Sequence, residues 1–185
     1  ALSSDGTRAA TTGWTGFVRI VEVASGRELA HWSGHGSSGV GVDWSSDGRF
    51  LATTGNDGRI VLWDAATQKE LKVLADHEGQ VLSVAFAPDG KLVAGAGAGG
   101  DVCLWSVPDG ALVATLADTG KRVDYLAYSP DGTRLAAGHP DGQVRLWDVA
   151  AARLVARLEG HKPGQVALAF HPRAAELVSA SGSDV

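Results

Sequence analysis

Short apolar runs separated by turn residues fill this chain from end to end. The stretch from Lys69 to Trp105 and a little beyond shows the pattern. Residues 81–86 are apolar and partly alternating, which suits a strand. Ala87-Pro88-Asp89-Gly90 is turn chemistry, because Pro presets φ, Asp bonds the nearby backbone and Gly accepts φ > 0. Leu92-Val93-Ala94 is a second apolar run, a glycine-rich turn follows, and residues 102–105 make a third. Pro108-Asp109-Gly110 turns the chain again before a fourth run at 112–116. Four short strands roughly ten residues apart predict a four-stranded antiparallel meander.

The pattern recurs every 42 residues. Asp-Gly pairs begin at Asp5, Asp47, Asp89 and Asp131, and Trp63, Trp105 and Trp147 keep the same step. His35 and His77 share it, with His161 two steps beyond, as do Trp44, Phe86, Tyr128 and Phe170. The third strand decides the architecture. Val18, Ile60, Val102 and Val144 form one column, and Ile20, Leu62, Leu104 and Leu146 another on the same face. Val21, Trp63, Trp105 and Trp147 occupy the opposite face. A strand apolar on both faces must be covered on both. Stacking each meander on the next achieves this, and a radial stack of such sheets is a β-propeller. The expected fold is therefore all-β, with four-stranded antiparallel blades. Residues 150–154 have local helix propensity, yet the repeat aligns 153–158 with 112–116 and predicts a strand there.

Composition narrows the functional classes. A net charge of −5 shows neither the basic footprint of a nucleic-acid binder nor a polybasic membrane patch. A single cysteine excludes an internal disulfide framework and any cysteine-based zinc cluster. There is no methionine, so the chain does not open on an initiator and reads as a piece of a longer one. No signal sequence or apolar span is visible, which leads to the expectation of a cytoplasmic protein. One asparagine and 11 arginines to 5 lysines suggest a GC-rich, bacterial coding sequence.

The residues reached so far resemble the WD-repeat β-propeller family. Matching pieces are Gly34-His35, Ser46-Asp47-Gly48, the run 52–58 and Ile60-Val61-Leu62-Trp63-Asp64; they recur as Ser129-Pro130-Asp131-Gly132, Val144-Arg145-Leu146-Trp147-Asp148 and Gly160-His161. The resemblance implies a hydrogen-bonded relay inside each blade, carried here by His35, Thr53, Asp57 and Trp63. The next unit keeps His77 and Trp105 but has Gly95 and Gly99 in the other two places. The following unit keeps Asp141 and Trp147 beside Thr119 and Ala137, and the last has His161, Ser179 and Ser183. Burial must hold the blades whose network is broken. The phase divides the chain into three strands of one blade at 1–32, whole blades at 33–74, 75–116 and 117–158, and two strands of a fifth at 159–185. Since the family usually closes with seven blades, the expectation is an open arc or fragment of a larger ring, able to self-associate through open blade edges.

Candidate chemistry reduces to surface. Gly95-Ala96-Gly97-Ala98-Gly99-Gly100 matches a dinucleotide fingerprint, but a strand follows where a helix N-terminus is required, so it reads as a hairpin turn. One histidine per blade does not converge on a metal. Asp76-His77 lacks a serine in an elbow motif. The Asp-Gly carboxylates lack calcium-loop spacing and read as turn residues. Cys103 reads as a buried thiol without a redox role. The innermost strands are mostly apolar, which argues against a central-channel enzyme site. In the resembling family the rim formed by the turns between second and third strands, with the loops leading into each blade, binds partners. Carried over, it holds Trp14, Asn56, Gln80, Lys121, Arg122, Tyr125 and His139. Trp14 either packs over an adjacent loop or serves as an anchor; Lys121 and Arg122 are either a solvated pair or contacts. The expected function is a non-catalytic scaffold that binds a protein or peptide on this rim, with no cofactor, no metal, no nucleic acid and no membrane. The alternative is a regulatory or sensor propeller attached to an enzyme, such as a bacterial signalling kinase, encoded outside these residues.

Overall fold

A computed structural model describes residues 1–76, 79–117, 121–174 and 176–182. His77, Thr119 and Ser183 lie outside the described residues. Strands form where apolar runs end in turn chemistry, and they make five antiparallel meanders. The first sheet holds β1 (Arg8–Thr12), β2 (Phe17–Glu22) and β3 (Glu28–Ser33). The second holds β4 (Gly39–Trp44), β5 (Phe50–Gly55), β6 (Arg59–Asp64) and β7 (Glu70–Asp76). The third holds β8 (Val81–Phe86), β9 (Leu92–Gly97), β10 (Val102–Ser106) and β11 (Leu112–Leu116). The fourth holds β12 (Tyr125–Tyr128), β13 (Arg134–Gly138), β14 (Val144–Asp148) and β15 (Arg153–Leu158), and the fifth β16 (Val166–Phe170) and β17 (Leu177–Ser181). The described residues contain no helix, and no strand of the first sheet pairs with one of the fifth. Leu2 makes a single antiparallel bridge to Ala9. The helix-prone stretch folds as a turn into strand β15, because tertiary packing outweighs a weak local preference.

The sheets stack through their first strands, β4 on β8, β8 on β12 and β12 on β16, with β1 lying against β4. Two side chains stitch neighbours together: Phe86 N donates to Asp43 Oδ2 at 2.8 Å and Leu126 N to Ser83 Oγ at 2.9 Å. Further out, each indole of the tryptophan column packs on the aliphatic face of the sheet before it. Trp63 meets Ala10 and Ile20, Trp105 meets Ile60, Leu62 and Leu74, and Trp147 meets Val102, Leu104 and Leu116. Trp63, Trp105 and Trp147 are 4%, 3% and 0% exposed, so the double-sided burial expected of the third strand is met. Each such ring removes about 150–250 Å² from water, on the order of 4–6 kcal/mol of gross hydrophobic stabilisation. The pairing of third and fourth strands slips immediately before this column, at Ile20/Val21, Leu62/Trp63, Leu104/Trp105 and Leu146/Trp147. A bulge there adds twist in every sheet that has both strands.

The Asp-Gly pairs are turn residues. Gly6, Gly48, Gly90 and Gly132 have φ near +70°. Asp5, Asp47 and Asp131 titrate below the ordinary carboxylate range, Asp5 at about 2, with a serine hydroxyl as the largest cause in each case. Two expectations need correction. The glycine-rich turn is shorter than its composition suggests, because β9 runs through Gly97. A Cβ on Gly95 would lie 2.3 Å from Ile60 Cδ1, and one on Gly97 would lie 2.0 Å from the Gln80 carbonyl oxygen. These two glycines therefore permit close packing inside the strand. Cys103 is half-buried, with Sγ 3.7 Å from Thr115 Oγ1, rather than buried.

The turn between third and fourth strands demands a left-handed residue. Gly26 and Gly110 supply it at φ 70°, whereas Gln68 and Ala152 adopt φ 57° and 48°. Gln68 secures its turn by donating from Nε2 to the Ala65 and Ala66 carbonyls at 3.1 and 2.8 Å. The Ala152 methyl offers no such bond. Ala152→Gly is expected to stabilise the protein by about 0.5–1 kcal/mol, raising the calorimetric Tm by about 1–4 °C; an unchanged or lower Tm contradicts the strain.

Candidate interaction rim

The relay in the second sheet rests on four elements that bring one side chain each to a common point. His35 comes from the loop before β4, Thr53 from β5, Asp57 from the β5–β6 turn and Trp63 from β6. His35 Nδ1 donates to Asp57, 3.0 Å from Oδ1. Nε2 then accepts from the Thr53 hydroxyl at 2.9 Å, and Trp63 Nε1 donates to the same oxygen at 2.9 Å. Asp57 also accepts from Gly36 N at 3.1 Å and Arg59 N at 3.2 Å. Burial works to raise the Asp57 pKa, but the Arg59 amide, His35 and the Gly36 amide outweigh it, and the carboxyl sits below its ordinary value.

The fourth sheet solves the same problem with cations. Asp141 occupies the Asp57 place and pairs with Lys121 Nζ at 2.9 Å and Arg145 Nη2 at 3.7 Å. Burial again opposes ionisation and is outweighed by Lys121, the Gln143 amide and Arg145. Ala137 provides no hydroxyl, and Trp147 Nε1 has no partner among the described residues. In the fifth sheet His161 Nε2 lies 2.8 Å from Ser179 Oγ.

Above these relays the turns are fixed by backbone bonds to the loop leading into a sheet. Gly39 N donates to Gly13 O at 2.9 Å, and Gly34 N and His35 N both donate to Gly16 O. Asn56 N donates to Ser38 O, Ala98 N to Gln80 O, and Gly164 N to Pro140 O. Ser38 Oγ donates to the Trp14 carbonyl at 3.3 Å, so Trp14 and Asn56 flank one residue, Ser38. The Trp14 ring is 94% exposed, which removes the reading in which it packs over a neighbouring loop. Gln80, Lys121 and Arg122 are exposed, and Tyr125 is 42% exposed at the head of β12. A polar hollow of about 340 Å³ lies between Asp141-Gly142-Gln143 and Glu159-Gly160-His161.

His139 does not belong with this set. It is 0% exposed, and its Nδ1–H donates to the Arg122 carbonyl at 3.1 Å. It occupies a column otherwise held by Gly13, Gly55, Gly97 and Ser181, at the end of the second strand, where it is covered by the loop that leads into the sheet. Two further buried groups, Asp124 and Arg145, went unassigned in the sequence. Arg122 Nε bonds Asp124 Oδ1 at 2.6 Å, while Asp124 Oδ2 and Arg145 Nε and Nη1 find no partner among the described residues. For Asp124 the signal was a charge in a column held elsewhere by Val40, Leu82 and Val166, whereas Arg145 shares its column with Arg19 as well as Val61 and Cys103 and gave none. Burial and then the Arg145 charge push His139 down to about 4, against Asp141, the Arg122 carbonyl and Asp124. Among the described residues, no three His, Cys, Asp or Glu side chains converge as a metal site.

Two outcomes follow from these geometries. Thr53→Val strands both His35 Nε2 and Trp63 Nε1, and should cost about 2–4 kcal/mol, read as a lower urea midpoint; a loss within error would contradict the relay. For His139 the folded state takes up its proton only near pH 4, whereas the unfolded chain does so near 6.5. The unfolded state therefore binds more protons between those values, and stability falls as pH drops from 6.5 to 4. His139→Gln should flatten that part of a stability–pH profile; an unchanged slope counts against the buried neutral imidazole.

Comparison with known proteins agrees with this geometry. Residues 26–64 and 68–106 match the family described as WD domain, G-beta repeat. Residues 113–172 match the anaphase-promoting complex subunit 4 WD40 domain. No curated protein sequence matches the chain. The matched segments together span more than half of the residues and run from β3 of the first sheet to β16 of the fifth, and the chain belongs to the WD40-repeat family.

Proposed function

We propose that this chain, whose WD40 repeats mark a generally non-catalytic protein-interaction scaffold, binds a protein or peptide on the rim, with Trp14 as the principal anchor and Asn56, Gln80, Tyr125 and the Lys121–Arg122 pair beside it. The observation that carries this reading is the combination of a nearly fully exposed indole and a backbone tied down by hydrogen bonds on both sides of it. Gly13 O and Gly16 O are both taken by the loop beneath, and a Cβ on Gly16 would lie 2.3 Å from the His35 carbonyl oxygen. The ring is held out by its scaffold, so little ordering entropy is lost on binding. Tryptophan, tyrosine and arginine are the side chains that dominate interface energies. Arg122 also holds Asp124, and that makes Trp14 and Tyr125 the cleaner probes.

Peptides selected from a displayed library against the whole chain provide the test. Trp14→Ala should weaken their binding at least about tenfold while leaving Tm within the small range expected for an exposed side chain. Undiminished binding by Trp14→Ala and Tyr125→Ala removes the rim assignment.

A further inference from the structure

The loop leading into a sheet is tied to the turn between that sheet's second and third strands, and one position of the repeat makes the tie. In the second sheet Asn56 N donates to the Ser38 carbonyl, and in the third Ala98 N donates to the Gln80 carbonyl, each at 2.9 Å. One repeat on, the acceptor is Arg122 and the donor position is Pro140. Proline has no backbone N–H to give. The Arg122 carbonyl takes its hydrogen bond from the His139 imidazole instead, Nδ1–H to oxygen at 3.1 Å. In the second and third sheets the His139 position is glycine, Gly55 and Gly97. The fourth sheet thus replaces a donor that cannot titrate with one that can. Asp141, on the other side of Pro140, holds the preceding loop residue through Lys121 Nζ at 2.9 Å.

The imidazole sits among charges. Arg145 comes from β14, Asp141 from the same turn, and Asp124 from the loop, where Arg122 Nε bonds Asp124 Oδ1 at 2.6 Å. The third sheet meets the loop through backbone alone, Val123 N donating to Gly97 O at 3.0 Å. The loop into the fifth sheet reaches the turn at Gly142, where a Cβ would lie 2.3 and 2.8 Å from the His161 and Lys162 carbonyl oxygens. His139 Nε2 is buried and has no partner among the described residues. A proton added there makes a buried, unpaired N–H beside a guanidinium that never loses its charge. Burial and Arg145 therefore hold the group near 4, against 6.5 for an imidazole in water. The ring carries a proton at lower cost outside, and leaving its place frees the Arg122 carbonyl.

We propose that His139 is a proton-operated clasp: neutral, it pins the Arg122 carbonyl and fixes residues 121–125; protonated, it turns out to solvent and releases them. The clasp stands on the geometry of the fourth sheet. Its consequence for binding rests on the rim reading above, because Lys121, Arg122 and Tyr125 belong to that rim. Asn56 N and Ala98 N carry out the same tie without a titratable group, so the control is local to one loop. The enclosed ring takes up its proton near 4 and the free ring near 6.5, and the midpoint of release lies between them.

Amide hydrogen exchange of the whole 185-residue chain, read by NMR as protection factors, tests the clasp. From about pH 7 to about pH 4.5, protection of the Val123 and Asp124 amides should fall at least about tenfold, while that of Ala98 changes less than about twofold. His139→Ala should show the low protection already at neutral pH. Pro140→Ala restores the backbone donor in an exposed turn. Alone it should remove the pH dependence, and combined with His139→Ala it should recover the lost protection. Circular dichroism verifies that each variant is folded. Constant protection at Val123, or a loss matched at Ala98, overturns the proposal. So does a pH dependence that survives Pro140→Ala, or a gain of protection on acidification, which would mean that Asp124 captures the imidazolium in place. Peptides selected on the rim at neutral pH should bind more weakly at about pH 4.5. Binding that ignores pH while Val123 responds removes residues 121–125 from the rim and leaves the clasp standing.

Discussion

A central strand that is apolar on both faces cannot be buried by its own sheet. This constraint organises everything else in the molecule. The aliphatic faces of the first three sheets are completed by indoles from the next, and the indole faces of the second to fourth by aliphatics from the one before. Stability in such a succession is a sum of sheet and nearest-neighbour terms. The gradient of burial along one column reports it directly: Leu62 and Leu104 are sealed, whereas Leu146, which faces a sheet of two strands, is half-buried. The first sheet shows the converse, with Val21 half-buried on the face that no other sheet of the described residues covers.

Polar groups enter this core only where charge or hydrogen bonding offsets their desolvation. The second sheet does so with a neutral chain of donors and acceptors that ends on the Asp57 carboxylate. The fourth has lost both the histidine and the hydroxyl of that chain and holds its aspartate with Lys121 and Arg145 instead. The exchange is incomplete. Trp147 Nε1, Asp124 Oδ2 and two nitrogens of Arg145 are buried without partners among the described residues, a costly arrangement in a low-dielectric site. Hydrophobic burial between the third and fourth sheets must outweigh it, and that interface has the largest apolar cluster in the structure.

Function follows from what the packing leaves over. Turn backbones on the rim are consumed by bonds to the loops beneath them, so their side chains are presented on rigid supports.

Much of the architecture was legible before any coordinates. A strict period shows which residues share a column, and column composition shows which faces are apolar. That sufficed for the third-strand burial and for β15 against its helix propensity, while the four members of the second-sheet relay were implied by the resemblance to the WD-repeat family. Burial at single positions was not legible. His139 stands in a turn that elsewhere carries exposed tips, yet its ring faces inward because the lead-in loop passes over it. Gly95 and Gly97 resembled a turn by composition but are strand residues held to glycine by Ile60 and the Gln80 carbonyl. Cys103 took its expected burial from Val61, though the neighbour above it differs. A sequence column records what one sheet offers; whether that residue is covered depends on side chains of the adjacent sheet, and only the stacked structure brings those into contact.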